Sequence, residues 1–336
     1  MGKIADKYGN ILANIAKGEA MATSLVALDY SRPVQAFFEQ EPQFGSIHSV
    51  FSRAVNLSLN KTLIAVLSSE LQQMPNGLRL STYEAKQLFA RLRPGESIIL
   101  GKGALSIPAY ELLLVLPTRP AWEPRPAIET CNWSRDTVRQ HVRSLVSYLA
   151  ERVFQEGLLS SVLSMFSGRV RPRSSLAQLA FFLLHELMQA CWQQDSVLLT
   201  EAVQGLAGLG PGLTPSGDDL LGGFAAVMAL LSQELSRDSC SRASLAETIA
   251  TTAQGRTTSL SCTLLTHAAR GEVAEHVGTL LLALSEPITN FSRVLQTAQR
   301  LQAFGATSGS DTLAGVLLGL RTLEGGDNDF YREGCP

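Results

Sequence analysis

The stretch Gly208-Leu-Gly-Pro-Gly-Leu-Thr-Pro-Ser-Gly-Asp-Asp-Leu-Leu-Gly-Gly223 is the most informative part of this 336-residue chain. Glycines, two prolines and a Thr/Ser/Asp cluster lie between two apolar segments with helical spacing. Such a loop can turn its backbone N–H groups toward one point at a helix N-terminus, where about half a positive charge resides. No lysine follows the glycines, so the loop is not a Walker phosphate loop, and Pro211 breaks the spacing of a dinucleotide fingerprint.

The simpler interpretation of this loop is an elaborate turn in which Asp218 or Asp219 caps the second helix. Because a turn needs few special residues, we favour an anion-binding loop at a helix start. The residues that we expect to bind the anion are Gly210, Gly212, Thr214, Ser216, Gly217 and Asp219.

A reduced copy of the pattern occurs 93 residues further along the chain. Thr214-x3-Asp218-x-Leu220-x-Gly222 matches Thr307-x3-Asp311-x-Leu313-x-Gly315. Each glycine follows its aspartate by one helical turn on the same face, where it lets another backbone approach. We therefore expect the two helices to pack together and their N-termini to converge on one anion. The alternative is that the two copies match by accident, because Asp caps and helical glycines are common. The second copy adds Thr307, Ser308 and Gly309 to the expected binding residues.

The aspartates of the two copies create an electrostatic conflict. A carboxylate repels a phosphate by about 3 kcal/mol at a separation of about 5 Å and an effective dielectric constant of about 20. We therefore expect these carboxylates to cap helices, to hold a divalent ion such as Mg²⁺, or to accept N–H bonds from an amide-bearing substrate. Asp218 and Asp311 are the predicted catalytic residues, with Asp219 free to cap the first helix. Mg²⁺ is the one cofactor considered, and the sequence predicts no set of metal ligands.

Two further segments contribute candidate binding residues. Hydroxyl residues surround Gly255 and Arg256 just before another helix, and we expect Thr257 and Thr258 to bind the anion. Thr and Ser are usual in loops and caps, so a purely structural role stays open for both. In the first half of the chain, Arg53 and Asn56 lie on opposite faces of a β-type run. Either Arg53 is a fork for a substrate carboxylate or it is a charge on an edge strand, and Asn56 is a further candidate binding residue.

Composition excludes several classes of protein. Apolar residues make up 45% of the chain, which excludes an intrinsically disordered protein. Charged residues make up only 17%, which leaves neutral surface for subunit interfaces, and a net charge of −2 gives no general attraction to nucleic acid. Five cysteines without a CxxC pair argue against a disulfide framework, and no apolar run reaches the length of a bilayer span. We expect a cytoplasmic, oligomeric protein that binds neither nucleic acid nor membrane.

The two halves of the chain differ in their hydrophobic periodicity. In the first half, a helix over 82–92 accompanies short β-type runs at 49–59, 62–67, 77–80, 97–100 and 110–116. In the second half, apolar spacing predicts helices over 137–154, 175–193, 196–206, 219–235, 244–253, 259–269, 273–284, 292–303 and 311–323. The predicted class is α+β, with a β-rich N-terminal domain followed by a mostly helical C-terminal domain.

The same periodicity, together with the prolines at 117, 120, 124 and 126, suggests where the parts of the chain begin and end. We predict an N-terminal extension over 1–43, a β-rich domain over 44–120, a linker over 121–130, a helical domain with Gly-rich anion-binding loops over 131–325, and a tail over 326–336.

Three motifs resemble the AllH (YlbF-like) family, long catalogued as a domain of unknown function. They are Phe51-Ser-Arg-Ala-Val-Asn-Leu57, Gly210-Pro-Gly-Leu-Thr-Pro-Ser-Gly-Asp-Asp219 and Gly305-Ala-Thr-Ser-Gly-Ser-Asp-Thr-Leu313. The resemblance covers roughly residues 45–325, and Ala306 stands where the family usually has His.

The family is linked to oxamate carbamoyltransferase of allantoin catabolism, a route of purine degradation. The resemblance implies a subunit that acts with partner proteins, one of them FdrA-like and related to acyl-CoA synthetase. The implied reaction is the phosphorolysis of oxalurate to oxamate and carbamoyl phosphate.

Two function classes follow from the residues and the resemblance. The first is a carbamoyltransferase subunit that binds phosphate or a small anionic or carbamoyl substrate at its helix N-termini. The second is a non-catalytic ligand-binding or assembly subunit of a multiprotein complex. The sequence shows no general acid for the leaving nitrogen, so the first class draws on residues of another subunit.

Overall fold

A computed structural model describes residues 23–128, 133–152, 156–167, 170–172, 174–235 and 242–325. The chain divides after Trp122 into two compact units. A nine-stranded sheet occupies residues 23–115 and helices follow it, which confirms the predicted α+β class. The predicted tail over 326–336 and the start of the predicted extension lie outside the described residues.

The first unit is built on a mixed sheet. Its strand order is β1-β9-β8-β7-β3-β4-β5-β6-β2. The β1–β9 and β5–β6 pairs are parallel, and the other pairs are antiparallel. The strands are β1 (Thr23–Val26), β2 (Asp29–Tyr30), β3 (Gln43–Val50), β4 (Ala54–Leu59), β5 (Thr62–Ser68), β6 (Gly77–Leu80), β7 (Ser97–Gly101), β8 (Ala104–Ile107) and β9 (Leu112–Val115).

Two capped helices accompany this sheet. Helix α1 (Arg32–Glu39) starts where the Ser31 hydroxyl accepts the Val34 N–H, and it buries Val34 and Phe38. Helix α2 (Thr82–Phe89) starts with a capping box between Ser81 and Glu84. Both helices contribute side chains to the hydrophobic core of the unit, as the alternating apolar residues of the strands do.

The sheet differs from the sequence expectation at several places, and β8 and the first six residues of β3 lie in none of the predicted β-type runs. It begins at Thr23, whereas the expected β-rich domain starts at residue 44, because β1 and β2 are too short for an alternation of apolar residues to be recognised in the sequence. The expected run over 49–59 is a hairpin, in which β3 ends at Val50 and β4 begins at Ala54. Arg53 therefore lies exposed in the turn and not on a strand, so its predicted strand placement is wrong.

The second unit is helical, and the described helices match the predicted ones closely. Helix α4 is the one that hydrophobic periodicity missed, because it is buried nearly all round. Among the described residues, no helix combines the length and the apolar character that a bilayer span requires. The helices are α3 (Arg135–Ala150), α4 (Leu159–Ser167), α5 (Ser175–Gln193), α6 (Ser196–Leu206), α7 (Ser216–Leu235), α8 (Arg242–Thr252), α9 (Ser259–Ala269), α10 (Glu275–Leu284), α11 (Phe291–Gln302) and α12 (Ser308–Glu324).

Candidate functional site

Helices α7 and α12 pack backbone to backbone through one glycine on each helix. A Cβ atom at Gly315 would lie 1.9 Å from the carbonyl oxygen of Leu220, and one at Gly223 would lie 2.2 Å from that of Thr312. No side chain fits at such distances, so the close packing requires glycine at both positions. Gly222, which the sequence repeat assigned to this contact, faces open space, so that assignment is wrong.

These reciprocal contacts correct the register of the two copies. Gly223 and Gly315 are 92 residues apart, one fewer than the spacing of the Thr-x3-Asp match. In this register Asp219, and not Asp218, occupies the position equivalent to Asp311. One aspartate of each copy now stands in the first turn of its helix at an equivalent position.

The starts of the two helices converge, as the repeat predicted. Thr214 Oγ1 lies 3.1 Å from Ser308 Oγ, within hydrogen-bond distance. Thr307 occupies the N-cap position of α12, but its side chain makes no capping bond to that helix. Its hydroxyl group acts instead on Asp311 and lowers the pKa of that carboxyl group. We call this meeting point of α7 and α12, with Thr214, Asp219, Ser308 and Asp311, the helix-start junction.

Asp218 organises the glycine loop, since both of its carboxylate oxygens have partners within the chain. Oδ1 accepts the N–H of Gly208 at 2.8 Å, and Oδ2 accepts the hydroxyl of Thr257. Thr258 adds a second tie between the same segments, because its hydroxyl caps α9 and donates to the Leu213 carbonyl at 2.6 Å. The catalytic role expected for Asp218 stays a prediction, and its observed role is to hold the loop against the segment before α9.

Asp219 carries the most perturbed carboxyl group of the junction. Burial raises the pKa of Asp219 well above its usual range, and the nearby carboxylates of Asp311 and Asp218 raise that pKa further. The hydroxyls of Ser308 and Thr214 bond to the carboxylate and oppose this rise. The buried Oδ2 of Asp219 has no hydrogen-bond partner among the described residues. A neutral, protonated carboxyl group is thus favoured at this position.

Asp311 is fully buried at the opposite side of the junction. Its Oδ1 accepts the Leu158 N–H at 2.6 Å, while its Oδ2 has no partner in the described part of the chain. Burial raises the pKa of Asp311, and bonds from Leu158 N–H and the Ser216 and Thr307 hydroxyls oppose the rise. The junction is therefore reciprocal: the serine that begins each helix bonds to the aspartate of the other helix.

Sequence reasoning missed the Gly157–Leu158 segment, which completes the junction. A Cβ atom at Gly157 would lie 2.5 Å from Asp311 Oδ1, so only glycine lets this backbone reach the carboxylate. The contact joins residues that are 153 positions apart in the chain. A single glycine before an apolar segment carries no pattern that would indicate such a partner.

The predicted anion-binding glycines take different roles. Gly210 and Gly212 have φ values of +113° and +100°, in the left-handed region that favours glycine. Gly217 and Gly309 donate their N–H groups to backbone carbonyl oxygens at 2.9 Å, so both donors are used within the protein. The hydroxyls of Thr257 and Thr258 already donate within the protein, to Asp218 and to the Leu213 carbonyl. The partly exposed hydroxyl residues at the two helix starts are Thr214, Thr307 and Ser308, with the buried Ser216 behind them.

The two remaining candidates belong to the sheet unit. Asn56 is buried on β4 and donates from Nδ2 to the Ser49 hydroxyl at 3.0 Å. Arg53 is exposed in the hairpin turn before β4. Their role as substrate ligands stays a prediction. Among the described residues, no group of three or more His, Cys, Asp or Glu side chains is arranged to hold a metal ion.

Two family models match the chain, and together they cover most of it. Residues 25–117 match the AllH family N-terminal domain, and residues 206–320 match oxamate carbamoyltransferase subunit AllH. The second match includes the glycine loop and both helices of the junction. No solved structure matches the chain. The chain therefore belongs to the AllH family, the family of a subunit of oxamate carbamoyltransferase.

Proposed function

We propose that the helix-start junction binds the carbamoyl-bearing substrate of an oxamate carbamoyltransferase complex. The observation that carries this proposal is the 3.1 Å distance between the Thr214 and Ser308 hydroxyl oxygens, beside two aspartates that each have one oxygen without a partner among the described residues. Hydroxyl donors and carboxyl acceptors at one point suit a small molecule that has both a carboxylate and amide N–H groups.

The chemistry of oxamate and its N-carbamoyl derivative fits this set of groups. The substrate carboxylate accepts hydrogen bonds from the hydroxyls of Thr214 and Ser308, at the positive ends of α7 and α12. An amide N–H group donates to the carboxyl group of Asp219, whose Oδ2 has no partner among the described residues. A protonated Asp219 also removes most of the repulsion that a second carboxylate would exert on an anion.

The proposed reaction is the phosphorolysis of oxalurate to oxamate and carbamoyl phosphate, carried out together with other subunits, among them an FdrA-like one. Phosphate is a second anion that the hydroxyl donors and the helix N-termini of the junction favour. If a divalent ion such as Mg²⁺ takes part, we expect the phosphate to carry it to the site, since Mg²⁺ commonly binds through substrate phosphates and one or two carboxylates.

The test is calorimetric titration of oxamate and of phosphate into the complex reconstituted with its partner subunits. A charge-assisted hydrogen bond is worth about 1.5–3 kcal/mol, so Thr214→Val and Ser308→Ala should each weaken oxamate binding by about tenfold or more. Thr248→Val is the matched control, because that hydroxyl on α8 donates within its own helix, to the Ser244 carbonyl at 2.8 Å. Unchanged oxamate affinity in both junction variants would contradict the proposal.

A further inference from the structure

The two aspartates of the junction differ in how a ligand can reach them. Asp311 is 0% exposed, and its Oδ1 is held by the Leu158 N–H. Asp219 is a partly exposed residue, although its Oδ2 is buried, and it lies beside the hydroxyls of Thr214 and Ser308, which face the proposed substrate. Of the two carboxyl groups, Asp219 is therefore the one that a bound substrate contacts.

We propose that Asp219 is the proton donor to the nitrogen that leaves the carbamoyl carbon, and that Asp311 is a positioning residue that keeps this proton on Asp219. This inference rests on the proposed function, since it needs the substrate at the junction. It supplies the general acid that the sequence did not reveal. Asp218 does not fit the role, because the chain occupies both of its carboxylate oxygens.

The step balances in atoms and charge. An oxygen of monohydrogen phosphate attacks the carbamoyl carbon of oxalurate and forms the new C–O bond of carbamoyl phosphate. The C–N bond to the oxamate nitrogen breaks, and that nitrogen takes the proton of the Asp219 carboxyl group. The proton that the phosphate loses returns to Asp219, which restores the acid for the next turnover.

The surroundings of Asp219 favour its protonated form. The charged groups that act on it are the carboxylates of Asp311 and Asp218, and both disfavour a third negative charge. Burial acts in the same direction and is the largest cause of the raised pKa. The Ser308 and Thr214 hydroxyls act in the opposite direction, so they stabilise the carboxylate that remains after proton transfer.

The test is the Asp219→Asn variant in the reconstituted complex, assayed with oxalurate and phosphate across the pH range. Asn matches the shape of a protonated Asp but carries no transferable proton. We expect kcat to fall by about 10²–10⁴-fold, the usual contribution of a general acid, with oxamate affinity within about threefold of wild type. The alkaline fall of the wild-type kcat profile, which reports ionisation of the acid, should be absent. Asp195→Asn, at the N-cap of α6, is the matched control.

The Asp311→Asn variant tests the second half of the proposal. Removing that charge lowers the pKa of Asp219, so the alkaline fall of kcat should move to lower pH. A kcat within about threefold of wild type in Asp219→Asn, or an unmoved pH profile in Asp311→Asn, would overturn the inference. If Thr214→Val and Ser308→Ala still weaken oxamate binding, such a result contradicts the proton-donor role of Asp219 but not the proposed binding site. Failure of the inference is thus distinguishable from failure of the proposed function.

Discussion

Thr214 Oγ1 and Ser308 Oγ lie 3.1 Å apart, although 94 positions of the chain separate the two residues. The contact joins the glycine loop that precedes α7 to the first residue of α12. Since the Asp219 carboxyl bonds to both hydroxyls, a change on one helix start alters the electrostatics of the other. The following predictions test this coupling and the packing that produces it.

The backbone contact of α7 and α12 should make Gly315 intolerant of a methyl group. Gly315→Ala places a Cβ 1.9 Å from the Leu220 carbonyl oxygen, so the helices must separate. We expect a loss of about 1–3 kcal/mol in the free energy of unfolding, measured by urea denaturation. Gly222→Ala is the matched control, because its Cβ meets open space and a helical Gly→Ala change gains about 0.5–1 kcal/mol. Equal effects of the two variants would contradict the observed packing.

Asp218→Asn should loosen the glycine loop. The amide offers one acceptor where the carboxylate has two, so either Gly208 N–H or the Thr257 hydroxyl loses its partner. An unsatisfied donor near a buried group costs about 1–3 kcal/mol of stability. A double-mutant cycle with Thr257→Val should give a coupling energy above about 0.5 kcal/mol. Strictly additive losses would show that the two side chains do not interact.

Gly212→Val should weaken oxamate binding without unfolding the protein. Gly212 has a φ of +100° and open space around its Cβ position, so the variant strains only the loop, by about 1–3 kcal/mol. We expect about tenfold weaker binding in calorimetry and a cooperative thermal transition. Gly103→Val, at a φ of +86° and equally open, is the matched control in the β7–β8 hairpin, and it should bind oxamate normally. Normal oxamate binding in both variants would show that the glycine loop does not contribute to the binding site.

The raised pKa of Asp219 makes protein stability depend on pH. The folded state holds this proton more tightly than the unfolded state, in which an Asp has a pKa of about 3.9. The stabilising contribution is therefore complete below about pH 3.9 and is lost as pH rises through the folded pKa. Asp219→Asn removes this loss, so its free energy of unfolding should exceed that of wild type at pH 8. A variant less stable than wild type at pH 8 would show that the ionised carboxylate stabilises the fold.

His276 gives the opposite pH dependence. The His276 ring stacks on Phe304, in the loop before α12, with 4.9 Å between the ring centroids. Burial lowers the pKa of His276 to about 4. An unfolded His has a pKa of about 6.5, so its contribution to stability, about 3 kcal/mol, is complete above that pH and is lost as pH falls toward 4. His276→Phe keeps the ring and removes the titration. Its denaturation midpoint should fall less than that of wild type between pH 7 and pH 4; parallel falls would contradict the assignment.

Much of the fold follows from local patterns. Helical spacing predicted α5, α6 and α9 with the bounds that the structure has, because periodicity and caps depend on neighbouring residues. Strands β1 and β2 escaped prediction because each pairs with a strand far along the chain, and two to four residues are too few for a period to show.

The candidate site divides in the same way. The glycine loop, the two helix starts and their convergence could be predicted, because the repeat of Thr, Asp and Gly is a local pattern of residues. Three features required the folded structure: Asp219 is the equivalent of Asp311, Asp218 bonds to the loop, and Leu158 supplies an N–H donor. Adjacent residues point about 100° apart around a helix, so a shift of one residue changes which aspartate faces α12. That choice depends on how two glycine-bearing helices interlock, which no local pattern records.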